Sequence, residues 1–158
     1  MLTGKPFYWA LKQSLRRVKE AHPFKIEALV LLPDHLHCLW TPPEDDADYA
    51  LRWNLVKRLT SQQTRHLITP EVSESRKKRG ELSLWQRRFW EHQIRDACDF
   101  ERHVDYIHWN PVKHGYVKAV AQWPYSSFHC FVGQGIYLLN WTGYGMTHVP
   151  DGDYGEPV

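Results

Sequence analysis

The chain has 158 residues, with 20 lysines and arginines against 18 aspartates and glutamates, a formal net charge of +2 and a mean hydropathy of −0.57. That length supports one domain with its own core, no stretch approaches the roughly 18 apolar residues of a membrane span, and the N-terminal segment lacks a signal-peptide pattern, so a cytoplasmic protein with no membrane partner is expected. The three cysteines, Cys38, Cys98 and Cys130, include no CxxC pair, which excludes a disulfide framework and a zinc finger and leaves them as buried apolar fillers.

From Phe7 to Lys19 the residues Leu11, Leu15 and Val18 recur at helical spacing, and His22-Pro23 ends that helix. Phe24 to Leu32 alternates as a strand that becomes buried along its length. Pro33-Asp34 makes a hairpin corner, and the returning strand "HLHCLW" projects His35, His37 and Leu39 to one side and Leu36, Cys38 and Trp40 to the other. After the loop "PPEDDAD", Asp48 caps a helix with Leu51, Leu55 and Leu59 on one stripe. Residues 69–84 read as a polar connection, and "FWEHQIRD" as a further strand.

In "DACDFERHVDYIHWNPVKHG", Asp99 caps a helix whose core stripe is Phe100, Val104 and Ile107. A second stripe carries His103, Tyr106 and Asn110, and Pro111 ends or kinks the helix just beyond the amide. His103, His108 and His114 read as surface or capping histidines, and Trp85, Trp90, Trp109 and Trp123 as mostly core. The domain is expected to span residues 1–131, with a Gly-rich tail over 132–158.

Net charge does not declare a nucleic-acid binder; its distribution matters more. Arg52, Lys57 and Arg58 on a helix, the run Arg76, Lys77, Lys78 and Arg79, and Arg87 and Arg88 between tryptophans suit phosphate contact with base stacking. Two neutral imidazoles converging from one strand face can hold a divalent metal with sites left open. A phenol, with an ordinary pKa of about 10, is a poor nucleophile until such a metal polarises its electrophile. A phosphodiester of single-stranded DNA is an electrophile of that kind, and attack on it would leave a covalent DNA phosphotyrosine. His35, His37 and Asn110 with waters favour Mg2+ or Mn2+ on grounds of availability.

"PDHLHCLW" is similar to the HUH motif (histidine, hydrophobic residue, histidine). Together with "WQRRFWEHQIRD", "DYIHWNPVKHG" and "WPYSSFH", in that order, it resembles the REP-associated tyrosine transposases, single-tyrosine HUH endonucleases of bacteria related to small insertion-sequence transposases. The resemblance implies His35 and His37 as metal ligands, Tyr106 as nucleophile and Asn110 as third ligand. It also implies binding to hairpins of repetitive extragenic palindromes, with single strands cut and joined beside them, by a monomer or homodimer. The implied fold is α+β, a ferredoxin-like (RRM-like) antiparallel sheet with helices on one side. No strand fits in "MLTGKPF", so the N-terminal strand of that sheet is expected to be lacking. The alternatives are a non-catalytic hairpin-binding remnant, which forms no covalent adduct, and a zinc hydrolase using His35, His37 and water, ranked low without an HExxH motif.

Overall fold

The structure, a computed structural model, describes residues 2–67, 84–85 and 90–143, in two compact units. The basic residues Arg76, Lys77, Lys78, Arg79, Arg87 and Arg88 lie outside the described residues. None of the described helices is long and apolar enough to cross a membrane.

The first unit pairs two helices, α1 (Lys5–Ala21) and α2 (Tyr49–Thr64). Ala10, Leu11, Leu15 and Val18 form the buried face of α1, as the periodicity predicts. Asp48 caps α2 by accepting the Leu51 N–H at 2.8 Å. The buried stripe of α2, however, is Arg52, Val56, Thr60 and Thr64, while Leu51 is exposed and Leu55 and Leu59 are half-buried. Polar residues occupy that stripe because their hydrogen bonds are met inside the unit. Thr60 and Thr64 hydroxyls donate to the carbonyls of Val56 and Thr60, each at 2.8 Å. Ser14 Oγ on α1 accepts from Gln63 Nε2 at 3.0 Å.

Arg52 corrects an expectation more sharply. Its side chain is fully buried, with Nη2 2.8 Å from Asp46 Oδ2 and 3.0 Å from the Pro23 carbonyl, and Nη1 2.9 Å from the Asp48 carbonyl. Its donors are committed to the loop and to the end of α1, so it is a structural residue and not a phosphate contact. Lys57 stands 5.7 Å from the ring centre of Trp53, and Arg58 is exposed.

In the second unit β1 (Lys25–Leu31) and β2 (Leu36–Thr41) form an antiparallel hairpin, closed at its turn by Leu32 N–H donating to the His35 carbonyl at 2.8 Å. The pairing sets Val30 opposite His37 and Ala28 opposite Leu39, so these four share a face. On that face packs α3 (Ala97–Lys113), and the core is Ala28, Val30, Leu32, Val104 and Ile107, flanked by Phe100, Trp123, Phe131 and Tyr137. Full burial of each such aliphatic side chain contributes about 1.5–3 kcal/mol, enough to fix which face of the hairpin meets the helix.

The outer edge of β1 is covered by "WPYSSFH". Leu31 N–H donates to the Tyr125 carbonyl and Ser127 N–H to the Leu29 carbonyl, both at 2.8 Å, and Trp123 Nε1–H reaches the Leu31 carbonyl at 3.0 Å. Blunting an edge with a loop keeps it from templating another strand. α4 (Phe128–Gly133) follows, and Tyr137 beyond it returns to the core, its hydroxyl donating to Asp105. Among the described residues the sheet has two strands.

Other local expectations change too. Residues 90–95 carry no strand, and Asp96, not Asp99, caps α3 by accepting the Asp99 N–H at 2.8 Å. The helix runs through Pro111 to Lys113, because a proline near the last turn removes only one helical hydrogen bond. It stops at a Schellman turn: Tyr116 N–H donates to the Pro111 carbonyl and Gly115 N–H to that of Val112, each at 2.9 Å, with Gly115 at φ 70°. Cys98, Cys130 and Trp90 are exposed, and His108 is fully buried.

Candidate active site

The side chains singled out as candidates lie within the second unit, at the turn of the hairpin and the C-terminal half of α3. His37 shares its face with Val30, so the same register that builds the core turns this imidazole toward α3. Its ring meets that of Tyr106 edge-on, with centres 5.8 Å apart. His35 sits one residue before β2 and packs edge-on against His37, 4.9 Å between centres. The histidines and the tyrosine singled out from the sequence are thus brought together.

Asn110 lies one turn beyond Tyr106 and is fully buried. Its Nδ2 donates to the Tyr106 carbonyl at 3.2 Å, which turns the amide oxygen away from its own helix backbone. Solvent is excluded from that Oδ1 and from Nε2 of His35, His37 and His114. Neither Asn110 Oδ1 nor His35 Nε2 makes a hydrogen bond among the described residues. Leaving a buried polar atom without a partner costs about 1–3 kcal/mol.

His35 Nδ1 lies 2.7 Å from Asp34 Oδ1. A carboxylate only accepts, so Nδ1 carries the hydrogen, and in the neutral ring the lone pair is on Nε2. Burial pulls the Asp34 carboxyl up, but the hydrogen bond from His35 and the proximity of the His35 and His114 rings outweigh it and leave the group below its ordinary range. A shielded imidazole nitrogen and a shielded amide oxygen are donor types that fit a divalent cation, with Asp34 orienting the imidazole.

Three residues were given no part in the site by the sequence. Asp34 is one. His114 is another: it is the C-cap of α3, one of the two readings given it, and its ring lies 5.5 Å from that of His35. The third is Lys113, whose Nζ donates to the Tyr106 hydroxyl oxygen at 2.8 Å. Both follow Asn110 at helical spacing, three and four residues on, so the face of Tyr106 and Asn110 points to them once the helix is carried past Pro111. His103 leaves this group, because its Nδ1 lies 2.8 Å from the Asp99 carbonyl one turn back.

The family model described as transposase IS200 like matches residues 1–110 of the chain. The REP-associated tyrosine transposase of Escherichia coli (strain K12) is 44% identical to it over 136 residues, covering 86% of this chain and 73% of that one. This chain belongs to the REP-associated tyrosine transposases. A putative member from Haemophilus influenzae (strain ATCC 51907 / DSM 11121 / KW20 / Rd) is 46% identical over 134 residues, 84% of this chain and 74% of that one. Among solved structures, a REP-associated tyrosine transposase bound to a REP hairpin has a TM-score of 0.80 and 41% identity, covering 99% of this chain and 82% of that one.

Proposed function

We propose that the chain is a divalent-metal-dependent endonuclease and strand transferase for single-stranded DNA, cutting beside palindromic hairpins through a phosphotyrosine on Tyr106. The observation that carries the reading is the meeting of the Tyr106 ring with that of His37, which in turn packs against His35. The relative bound to a REP hairpin supports DNA of that form as the partner. The same kinship supports a ferredoxin-like sheet of which the β1–β2 hairpin is part.

His35, His37 and Asn110 would hold Mg2+ or Mn2+, which when bound supplies charge neutralisation and alignment for the phosphate. The remaining work falls to the chain. Tyr106 Oη forms a bond to phosphorus while the bond from phosphorus to one flanking sugar oxygen breaks, its electron pair leaving on that oxygen. The phenol gives up its proton to water and the sugar oxygen takes one from water, so the ester count is conserved and the reverse attack can rejoin a strand. Burial of Tyr106, 2% exposed, limits competing attack by water. Lys57 and Arg58, with the basic residues of 76–79 and 87–88, would contact phosphates.

Incubating the purified protein and Mg2+ or Mn2+ with a hairpin-bearing single strand is expected to give a protein species heavier by the attached fragment. Tyr106→Phe should abolish that species while retaining hairpin binding, since only the nucleophilic oxygen is removed. Hairpin binding by the wild type with no adduct in either metal would instead make the chain a non-catalytic binder.

A further inference from the structure

We infer that Lys113 is a further catalytic residue, one that binds the scissile phosphate and the tyrosyl oxygen together. The inference rests on the proposed role of Tyr106 and on one distance: Nζ of Lys113 lies 2.8 Å from Tyr106 Oη. The Nζ also lies 4.9 Å from the centre of the phenol ring, a separation that bonding to the ring's own hydroxyl already implies. Lys113 and Tyr106 sit two turns apart on one face of α3, so the helix itself holds the pair in register.

A productive complex brings the reacting atoms to about 3–3.5 Å. With Nζ already on the nucleophilic oxygen, phosphorus cannot then lie more than about 6 Å from the ammonium, whatever the path of the DNA. The non-bridging oxygens project from phosphorus, so the cation lies where charge gathers as the new bond forms. A donor held fixed by the helix acts there without reorganising. In the step written above, Lys113 gains and loses no atoms: the Oη lone pair makes the bond to phosphorus, the sugar oxygen departs with its electron pair, and both proton exchanges are with water. The ammonium hydrogen-bonds the attacking oxygen before the step and the phosphotyrosine oxygens after it.

Lysine is suited to this by shape. Its three hydrogens can be shared between Oη and a phosphate oxygen, whereas a guanidinium spreads its donors in a plane. A structural role, bracing the tyrosine ring alone, would be served by any side chain of similar length and would not distinguish one phosphate oxygen from another.

Single-turnover adduct formation on a hairpin substrate with Mn2+ would therefore be compared in wild type, Lys113→Met and Lys113→Arg. Lys113→Met is expected to lower the saturating rate by about 100-fold or more, the loss typical of one removed charge-stabilising donor, with hairpin Kd changed less than about threefold. Lys113→Arg should recover part of the rate. The two phosphorothioate diastereomers at the scissile position should differ in wild type by a ratio that shrinks in Lys113→Met. A methionine variant with the wild-type rate and the same diastereomer ratio would overturn the assignment while leaving Tyr106 the nucleophile. If instead wild type forms no adduct, it is the reading of Tyr106 that fails.

Discussion

Helix α3 carries a histidine cluster near each end, and the two differ in the direction in which their protons point. At the N-terminal end His92, Asp99 and His103 bring ligand-type atoms within 4.8 Å of one another, the dimensions of a metal site. Yet His92 Nε2 lies 2.8 Å from Asp99 Oδ2, and His103 Nδ1 2.8 Å from the Asp99 carbonyl and 3.2 Å from its Oδ1. Those oxygens accept, so both nitrogens turn N–H groups inward and offer no lone pair there. Asp99 also takes the Arg95 N–H at 3.0 Å, and the hydrogen bond from His92, followed by that from Arg95, holds its carboxyl far below the ordinary range. This cluster is closed by its own hydrogen bonds. At the other end Asp34 takes the Nδ1–H of His35, and the ring's Nε2, like the amide oxygen of Asn110, is shielded and makes no hydrogen bond among the described residues. Residue types and spacing favour the first cluster as a metal centre; the hydrogen-bond directions favour the second.

The contrast breaks most visibly under substitution. His37→Ala is expected to lower the saturating rate of adduct formation at least 100-fold and to weaken Mn2+ binding in calorimetry, with hairpin affinity little changed. Asp99→Asn is expected to leave Mn2+ affinity and the adduct rate as they are, while lowering the thermal midpoint through a weakened first turn of α3. Loss of Mn2+ binding in Asp99→Asn with retention in His37→Ala would reverse the assignment of the two clusters.

Between the clusters lies His108, fully buried, with Nε2 2.8 Å from Ser127 Oγ, which accepts the Leu29 N–H at 2.9 Å. It ties α3 to the covered edge of β1, and burial lowers its pKa to about 4. The unfolded chain, with an ordinary histidine near 6.5, binds the proton first as pH falls. This contribution is therefore present above about pH 6.5 and is lost progressively toward pH 4. About 2 kcal/mol should disappear between pH 7 and pH 5 by denaturant unfolding. His108→Gln, which keeps a partner for Ser127, should flatten that dependence; an equally steep fall in the variant would place the titrating group elsewhere.

How much of this was legible follows from which forces wrote each pattern. The strand period of two put His35, His37 and Leu39 on one face, and the pairing of His37 with Val30 shows why that face is the inner one. The helix period found Phe100, Val104 and Ile107 and the stripe of Tyr106 and Asn110. In α2 periodicity chose Leu51, Leu55 and Leu59, because apolar spacing cannot register that Arg52 has the Asp46 carboxylate and three backbone carbonyls waiting for it. Lys113 and His114 were missed because Pro111 read as a stop, whereas the Schellman turn at Gly115 is what ends the helix. Asp34 read as a turn residue and no more; its bond to His35 is local in sequence, but which ring nitrogen it takes depends on the hairpin.

Asp34 also supplies the finest test of the two-cluster comparison. Were its hydrogen bond the source of the proton direction at His35, removing charge alone should matter less than removing the acceptor. Asp34→Asn keeps an oxygen able to accept from Nδ1–H but lowers the basicity that a carboxylate lends an imidazole. Outer partners of this kind are worth about 10–100-fold in metal affinity, and the 68% exposure of the Asp34 side chain argues for the low end. Mn2+ affinity is thus expected to fall about tenfold in Asp34→Asn, or about 1.4 kcal/mol, and further in Asp34→Ala, where the ring loses its acceptor as well. Equal affinities in wild type and both variants would mean that packing against His37 and His114 orients His35 without the carboxylate, and that proton direction at this end of α3 is set by the rings themselves.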